Sequence, residues 1–319
     1  MNSPLRIVFM GTPEFAVESL RSLVENGYQV VGVVTAPDKP VGKHHSVLQA
    51  SPVKEYALLQ NLPLLQPEKL KDTGFLEQLA AWDADLQIVV AFRMLPEAVW
   101  NMPRLGTFNL HASLLPQYRG AAPIQWAIIN GEKETGVTTF FLTHTIDTGK
   151  IIFQERTPIE PADTAGIIHD RLMYLGAQLT LKTVDAISND QIRTVDQEIL
   201  IINESNLKPA PKIFNETCKI DWNKSCNEIY DLIRGLSPYP AAWTVLKTDK
   251  GESIHCKIFE SEKIIQSHSL SPGTIDSHDK NCLKIAASDG FIQVKSIQQA
   301  GKKRMPIEEF LRGNSHLLF

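Results

Sequence analysis

Asn109-Leu110-His111 sets a carboxamide and an imidazole two residues apart. Residues 106–113 read as a β-strand, whose side chains alternate between faces. Asn109 and His111 therefore emerge together, while Phe108 and Leu110 turn to the opposite, apolar side. A neutral donor beside a group that titrates near neutrality suits addition at a carbonyl: the amide binds an oxyanion and the imidazole handles a proton. Asp147, within Thr145-Ile146-Asp147-Thr148-Gly149, supplies a carboxylate in a turn between two expected strands, next to a glycine that permits close approach. A carboxylate beside an imidazole favours its charged form and orients its ring. The same spacings also suit an Asn–His pair satisfied within a core and an Asp that only forms a turn.

The segment after the strand, Ser113-Leu114-Leu115-Pro116, is a poor helix start. It is expected to be irregular, with backbone polar groups free for a ligand, before Gly120 turns the chain away. No other constellation competes. Met10-Gly11-Thr12-Pro13 lacks the G-x-G-x-x-G spacing, no G-x-x-x-x-G-K-[ST] occurs, and no Ser or Cys sits in a nucleophile setting, so direct transfer without a covalent enzyme intermediate is the simpler chemistry. His44-His45 has no acidic or Cys neighbours and reads as part of a solvated loop; no metal is expected. Cys218, Cys226, Cys256 and Cys282 form no CxxC pair and read as reduced.

These residues need a frame. Residues 5–10, 28–35, 62–65, 85–92 and 106–113 read as strands alternating with helical segments, the pattern of βαβ units and a parallel sheet. The first helix presents Phe15, Leu20, Leu23 and Val24, with Thr12 expected as its N-cap and Pro13 at its first position. Residues 36–50 read as a long polar loop before a helix starting near Ser51-Pro52. Open α/β sheets bind ligands beyond the carboxyl ends of their strands, where Asn109 and His111 fall. Residues 134–142 and 151–158 suggest an antiparallel pair, and residues 165–187 a long helix that closes the domain. Residues 190–212 are polar and end in Lys208-Pro209-Ala210-Pro211-Lys212, a composition suited to an extended connector. One more helix, residues 225–235, precedes short β-rich runs that suggest a small barrel or sandwich. The expected division is 1–189, a linker at 190–207, and 208–319.

With 319 residues, 43% hydrophobic and 21% charged, the chain suits two globular domains, and no apolar run is long enough to span a bilayer. The N-terminus shows no secretory pattern, so a cytoplasmic protein is expected. The net charge of −4 hides an asymmetry: residues 208–319 carry 16 Lys and Arg against 13 Asp and Glu, and residues 1–207 carry 16 against 23. A mildly basic tail behind an acidic domain hints at a polyanionic substrate, or at two unequal solvated surfaces.

The stretch Asn109-Leu110-His111-Ala112-Ser113-Leu114-Leu115-Pro116 with Tyr118-Arg119-Gly120-Ala121-Ala122-Pro123-Ile124, together with Glu134-Thr135-Gly136-Val137-Thr138 and Ile146-Asp147-Thr148-Gly149, resembles the folate-dependent formyltransferase family. Phe9-Met10-Gly11-Thr12-Pro13-Glu14-Phe15, Ala36-Pro37-Asp38-Lys39-Pro40, Ala210-Pro211-Lys212-Ile213 and Ala300-Gly301-Lys302-Lys303 extend the resemblance over the whole chain. They narrow it to members acting on initiator tRNA. The resemblance implies an α/β fold: a Rossmann-like domain that binds 10-formyltetrahydrofolate, joined to a C-terminal OB-like β-barrel domain that helps hold tRNA. It implies formyl transfer to the α-amino group of methionyl initiator tRNA, with another amine or hydrolysis of formyltetrahydrofolate as alternatives. It assigns catalysis to Asn109, His111 and Asp147, and folate contacts to Ser113, Leu114, Leu115 and Pro116. It points to Lys39, Lys43, Lys302, Lys303 and Arg304 for tRNA. Apart from the resemblance, no metal and no membrane are expected, and a monomer is the default. Two departures stand out. Lys43-His44-His45-Ser46 stands where relatives carry Arg-Gly-Lys-Lys, and Arg93 where they carry Gly.

Overall fold

The computed structural model describes residues 4–41, 47–247, 253–276 and 282–314. The chain divides into two compact units, one of Met1–Gly120, Thr135–Thr157 and His169–Pro209, the other of Ala121–Glu134, Pro158–Ile168 and Ala210–Phe319.

In chain order, β1 (Arg6–Gly11) leads through α1 (Glu14–Glu25) to β2 (Gln29–Val34). A ribbon of β3 (Lys39–Val41) against β4 (Val47–Gln49) precedes α2 (Pro52–Leu59). The chain continues through β5 (Leu64–Leu65), α3 (Thr73–Ala81), β6 (Leu86–Val90), α4 (Glu97–Trp100) and β7 (Thr107–His111). After α5 (Pro123–Ile129) come β8 (Glu134–Phe141), β9 (Ile151–Pro158) and the long α6 (Ala165–Ser188).

The first unit is built on a seven-stranded sheet in the order β5-β2-β1-β6-β7-β8-β9. Its first five members run parallel and β8 pairs with β7 in the opposite sense. Strands covered on both faces must be apolar throughout, and Ile7, Val8, Phe9 and Met10 are fully buried. This is the parallel sheet of βαβ units expected from the alternating apolar runs, and the Rossmann-like fold that the resemblance implies. Two local expectations change. Pro13, not Thr12, stands at the N-cap of α1, because its extended backbone (φ −79°, ψ 173°) delays the helix to Glu14. The stretch 36–50 is in part a β-ribbon rather than a plain loop; Lys39 faces Gln49 and Pro40 faces Leu48 across it. Ser51 caps α2, its hydroxyl accepting from the Lys54 amide at 3.1 Å.

In the second unit, α7 (Cys226–Leu236) opens with a capping box between Ser225 and Glu228. It is followed by β10 (Ala242–Lys247), β11 (Ser253–Ile265), β12 (Ile275–Asp276), β13 (Leu283–Ala286), β14 (Gly290–Gln299), β15 (Met305–Pro306) and α8 (Ile307–Gly313). The strands form one antiparallel sheet, β10-β11-β14-β13-β12 with β15 on β14, that curls as the half-barrel of an OB-like domain. Irregular register between Ile258 and Ser261 bends the long β11, as bulges do. Ile229, Ile233, Ile258, Ile292, Ile297 and Phe310 fill its core. Among the described residues no helix is long and apolar enough to cross a membrane.

Candidate active site

Strand β7 is flanked by β6 and β8, and its last residues supply the reacting side chains. Asn109 lies opposite Val89 on one side and Phe140 on the other, and His111 lies opposite Thr138. The two-residue period works as the sequence suggests: Phe108 and Leu110 are buried. Asn109 remains partly exposed. Among the described residues its carboxamide has no hydrogen-bond partner, so it is available to a ligand.

His111 is 7% exposed, its ring edge-on to Phe140. Nε2 lies 2.8 Å from the carbonyl oxygen of Tyr118. A carbonyl only accepts, so Nε2 carries the hydrogen and Nδ1 is left for chemistry. Nδ1 stands 3.9 Å from Oδ2 of Asp147, beyond hydrogen-bond length but close enough for the carboxylate to act through its charge. The ring is thus oriented by the Tyr118 carbonyl, not by Asp147 as expected. The reason is local: Tyr118 takes a left-handed conformation (φ 60°) that turns its carbonyl back toward β7.

Asp147 sits in the turn between β8 and β9, itself left-handed at φ 54°, and Oδ2 accepts the Gly120 amide at 2.9 Å. Gly149 makes that turn possible, since a Cβ there would fall 1.7 Å from the Phe141 carbonyl oxygen.

The segment 113–116 has less freedom for a ligand than its sequence suggests. Its backbone groups are already engaged, because Thr138 on the neighbouring strand reaches into it. The Thr138 hydroxyl donates to Ser113 O at 2.6 Å and accepts from Leu115 N at 3.2 Å, and Gln154 Nε2 donates to Leu115 O at 2.7 Å. Ser113 is fully buried with its hydroxyl on Gln117 O, and Leu115 is 2% exposed. Leu114 and Pro116 keep accessible surface. Leu114 lies over Gly136, where a Cβ would come within 2.5 Å of its Cδ2.

Of the cations singled out for tRNA, Lys39, Lys302 and Lys303 are exposed. Lys43, with His44, His45 and Ser46, lies outside the described residues. Arg304 is held by the Glu260 carboxylate and by Ser296 Oγ, over the ring of Phe259, so its charge is answered within the half-barrel. Arg93 gives its two terminal nitrogens to the carbonyls of Glu68 and Pro67 at 3.0 and 2.7 Å, and burial pulls its pKa down. Its guanidinium joins two loops rather than standing in solvent. Sequence reasoning missed Tyr118, Thr138 and Gln154 as supports of the site. Thr138 is one of several polar residues in its strand, Glu134, Thr135 and Thr139 among them, so residue type alone did not single it out.

Comparison with known proteins identifies the family of the chain. A formyl transferase family model matches residues 5–184, and a model of the formyl transferase C-terminal domain matches residues 212–315. A protein of Bacteroides thetaiotaomicron named methionyl-tRNA formyltransferase is 63% identical over 97% of this chain and 95% of its own length. One of the same name from Phocaeicola vulgatus is 65% identical over the same shares. A sugar 3N-formyl transferase, solved with dTDP and 5-N-formyl-THF, shares the fold with a TM-score of 0.65 at 22% identity, covering 95% of this chain and all of that one. The chain belongs to the formyl transferase family, with both its N-terminal and its C-terminal domains.

Proposed function

We propose that this enzyme transfers the formyl group of 10-formyltetrahydrofolate to the α-amino group of methionyl initiator tRNA, giving N-formylmethionyl-tRNA for translation initiation. One observation carries the chemistry: an uncommitted carboxamide, Asn109, stands on the same strand face as an imidazole with one nitrogen to spare, at the carboxyl end of a central strand. The choice of substrate rests on relatives above 60% identity that bear that name.

The bound folate would supply a formyl carbon attached to a nitrogen leaving group. Leu114 and Pro116 offer it apolar surface, with Ser113 and Leu115 as the buried support beneath, so the residues fit the face of a flat ring. When the methionyl amine adds to the formyl carbon, the carbonyl oxygen takes up negative charge. Asn109 Nδ2 and protonated His111 Nδ1 are the donors for that oxyanion. Asp147, 3.9 Å away, sets a countercharge on the Nδ1 side of the ring, while the Tyr118 carbonyl keeps the ring aimed. Collapse of the adduct breaks the bond to the folate nitrogen, and the proton lost by the amine reaches that nitrogen through a water beside His111. Asn109 and His111 thus act only on charge that exists in the transition state.

Exposed Lys39, Lys302 and Lys303 are the cations we assign to tRNA phosphates, together with Lys43, four residues after Lys39; Arg304 contributes by shaping the surface next to Lys303. We take the enzyme to act as a monomer in the cytoplasm, without a metal. The test is transfer of labelled formyl to methionyl initiator tRNA, beside methionyl elongator tRNA, free methionine and an RNA-free control. Selective product on the initiator is expected. Folate consumed without that product would replace this reading with hydrolysis or with another amine.

A further inference from the structure

Residues 185–211 lie between the stretches matched by the two family models, and their composition reads as a connector. Within the first unit this segment is docked. Val195 exchanges both backbone hydrogen bonds with Ile151 on β9, each at 2.8 Å. Two residues on, Gln197 is 1% exposed. Its Nε2 donates to the carbonyls of Asp147 and Gly149 at 2.9 and 2.8 Å, and its Oε1 accepts from Nε and Nη2 of Arg119 at 3.1 and 2.6 Å. Two donors and two lone pairs are the full capacity of a carboxamide, so this side chain has one satisfied orientation.

The residues it joins are the ones that hold the reacting groups. Arg119 stands between Tyr118, whose carbonyl orients His111, and Gly120, whose amide holds the Asp147 carboxylate. The same segment grips this turn again further on: Tyr118 N donates to Lys208 O at 2.7 Å, and Lys208 N to Gln117 Oε1 at 2.9 Å. Asp147 needs such support, because a left-handed residue other than Gly persists only where its surroundings over-determine it.

We propose that Gln197 is a positioning residue for formyl transfer: one buried carboxamide locks the Asp147 turn to the 117–120 turn and so sets the His111–Asp147 geometry. This rests on the reading of Asn109, His111 and Asp147 given above. A displacement of about 1 Å at reacting groups costs on the order of 10²-fold. Gln197→Leu is therefore expected to lower kcat by about 10- to 100-fold, with KM for initiator tRNA and for folate within about twofold of the parent, since neither ligand touches it.

The experiment is a double-mutant cycle with Asp147→Asn, measuring kcat and both KM values in the full chain. If Gln197 acts through Asp147, adding Gln197→Leu to Asp147→Asn costs less than about threefold, because residues that act as a unit are not additive. A parental kcat in Gln197→Leu, or losses that multiply in the double variant, overturns the proposal. Should Gln197→Leu not fold, Gln197→Glu serves: it keeps the size and the acceptor for Arg119 but sets an oxygen against the two carbonyls, and the same kcat loss is expected. Asp147→Asn inactive beside a fully active Gln197 variant sinks this proposal alone. Full activity in Asp147→Asn sinks the reading of the site along with it.

Discussion

Thr138→Val tests whether one hydroxyl holds the 113–116 segment in shape. Valine matches threonine in volume, so the change removes hydrogen bonds without opening a cavity. Thr138 is fully buried, and its Oγ1 serves Ser113 O, Leu115 N and Gln154 Nε2. Gln154 keeps its other bond, to Leu115 O. The Ser113 carbonyl and the Leu115 amide lose the hydroxyl that pairs them, and each unpaired buried group costs about 1–3 kcal/mol. The sum, roughly 2–6 kcal/mol, is a large part of the total stability of about 5–15 kcal/mol of an ordinary domain. For a unit of this size it is a fall in Tm of about 4–24 °C. Thr138→Ser is the control. It keeps the hydroxyl and loses one methyl, for about 1 kcal/mol. Urea unfolding of the three proteins, with formyl transfer measured alongside, gives the comparison. A Thr138→Val protein as stable as the serine variant, or more so, would refute the claim that this hydroxyl organises the segment.

Asn109→Ala and His111→Ala are each expected to reduce transfer by roughly 10²-fold or more, the scale of a lost oxyanion donor; near-parental rates in either variant would remove that residue from the mechanism. Burial pushes the Cys226 and Cys256 thiols up to about 12 and raises that of Cys218, and Cys282 is buried as well. A thiol reagent at pH 8 should therefore label none of the four in the native protein and all four in denaturant, and fast native labelling would contradict this packing. Lys224 and the Ser225 hydroxyl and amide hold Glu228 down at about 2, against a usual 4.5. A carboxylate depressed on folding stabilises above its unfolded value and loses that contribution as pH falls through the folded one. Glu228→Ala is expected to cost about 1 kcal/mol at pH 7 through the capping box, with a small share from the exposed Lys224 pair. The gap from the parent should close between about pH 4.5 and 2, and a gap that stays constant with pH in denaturant titrations would count against the ionic part of the cap.

Some of the site was legible because it is local. Strand period places Asn109 and His111 on one face whatever the rest of the fold does, and the short apolar run 7–10, stopped by the turn at Gly11-Thr12-Pro13, suits a strand covered on both sides. The turn at Asp147 was legible from its glycine, since no other residue fits against the Phe141 carbonyl. The bending and pairing of the half-barrel strands, by contrast, appeared only as a set of short β-rich runs.

What the tertiary structure decided is which groups meet. His111 is aimed by a carbonyl seven residues on, and Asp147 is held by the Gly120 amide 27 residues back. Backbone partners of this kind leave no mark in residue type. Arg304 reads from sequence as a free cation, yet Glu260, 44 residues away, claims it. Gln197 reads as one polar residue in a connector and is buried with every polar atom engaged. Periodicity determines the face on which a side chain emerges; the partner waiting there comes from chain distant in sequence, and only packing brings it.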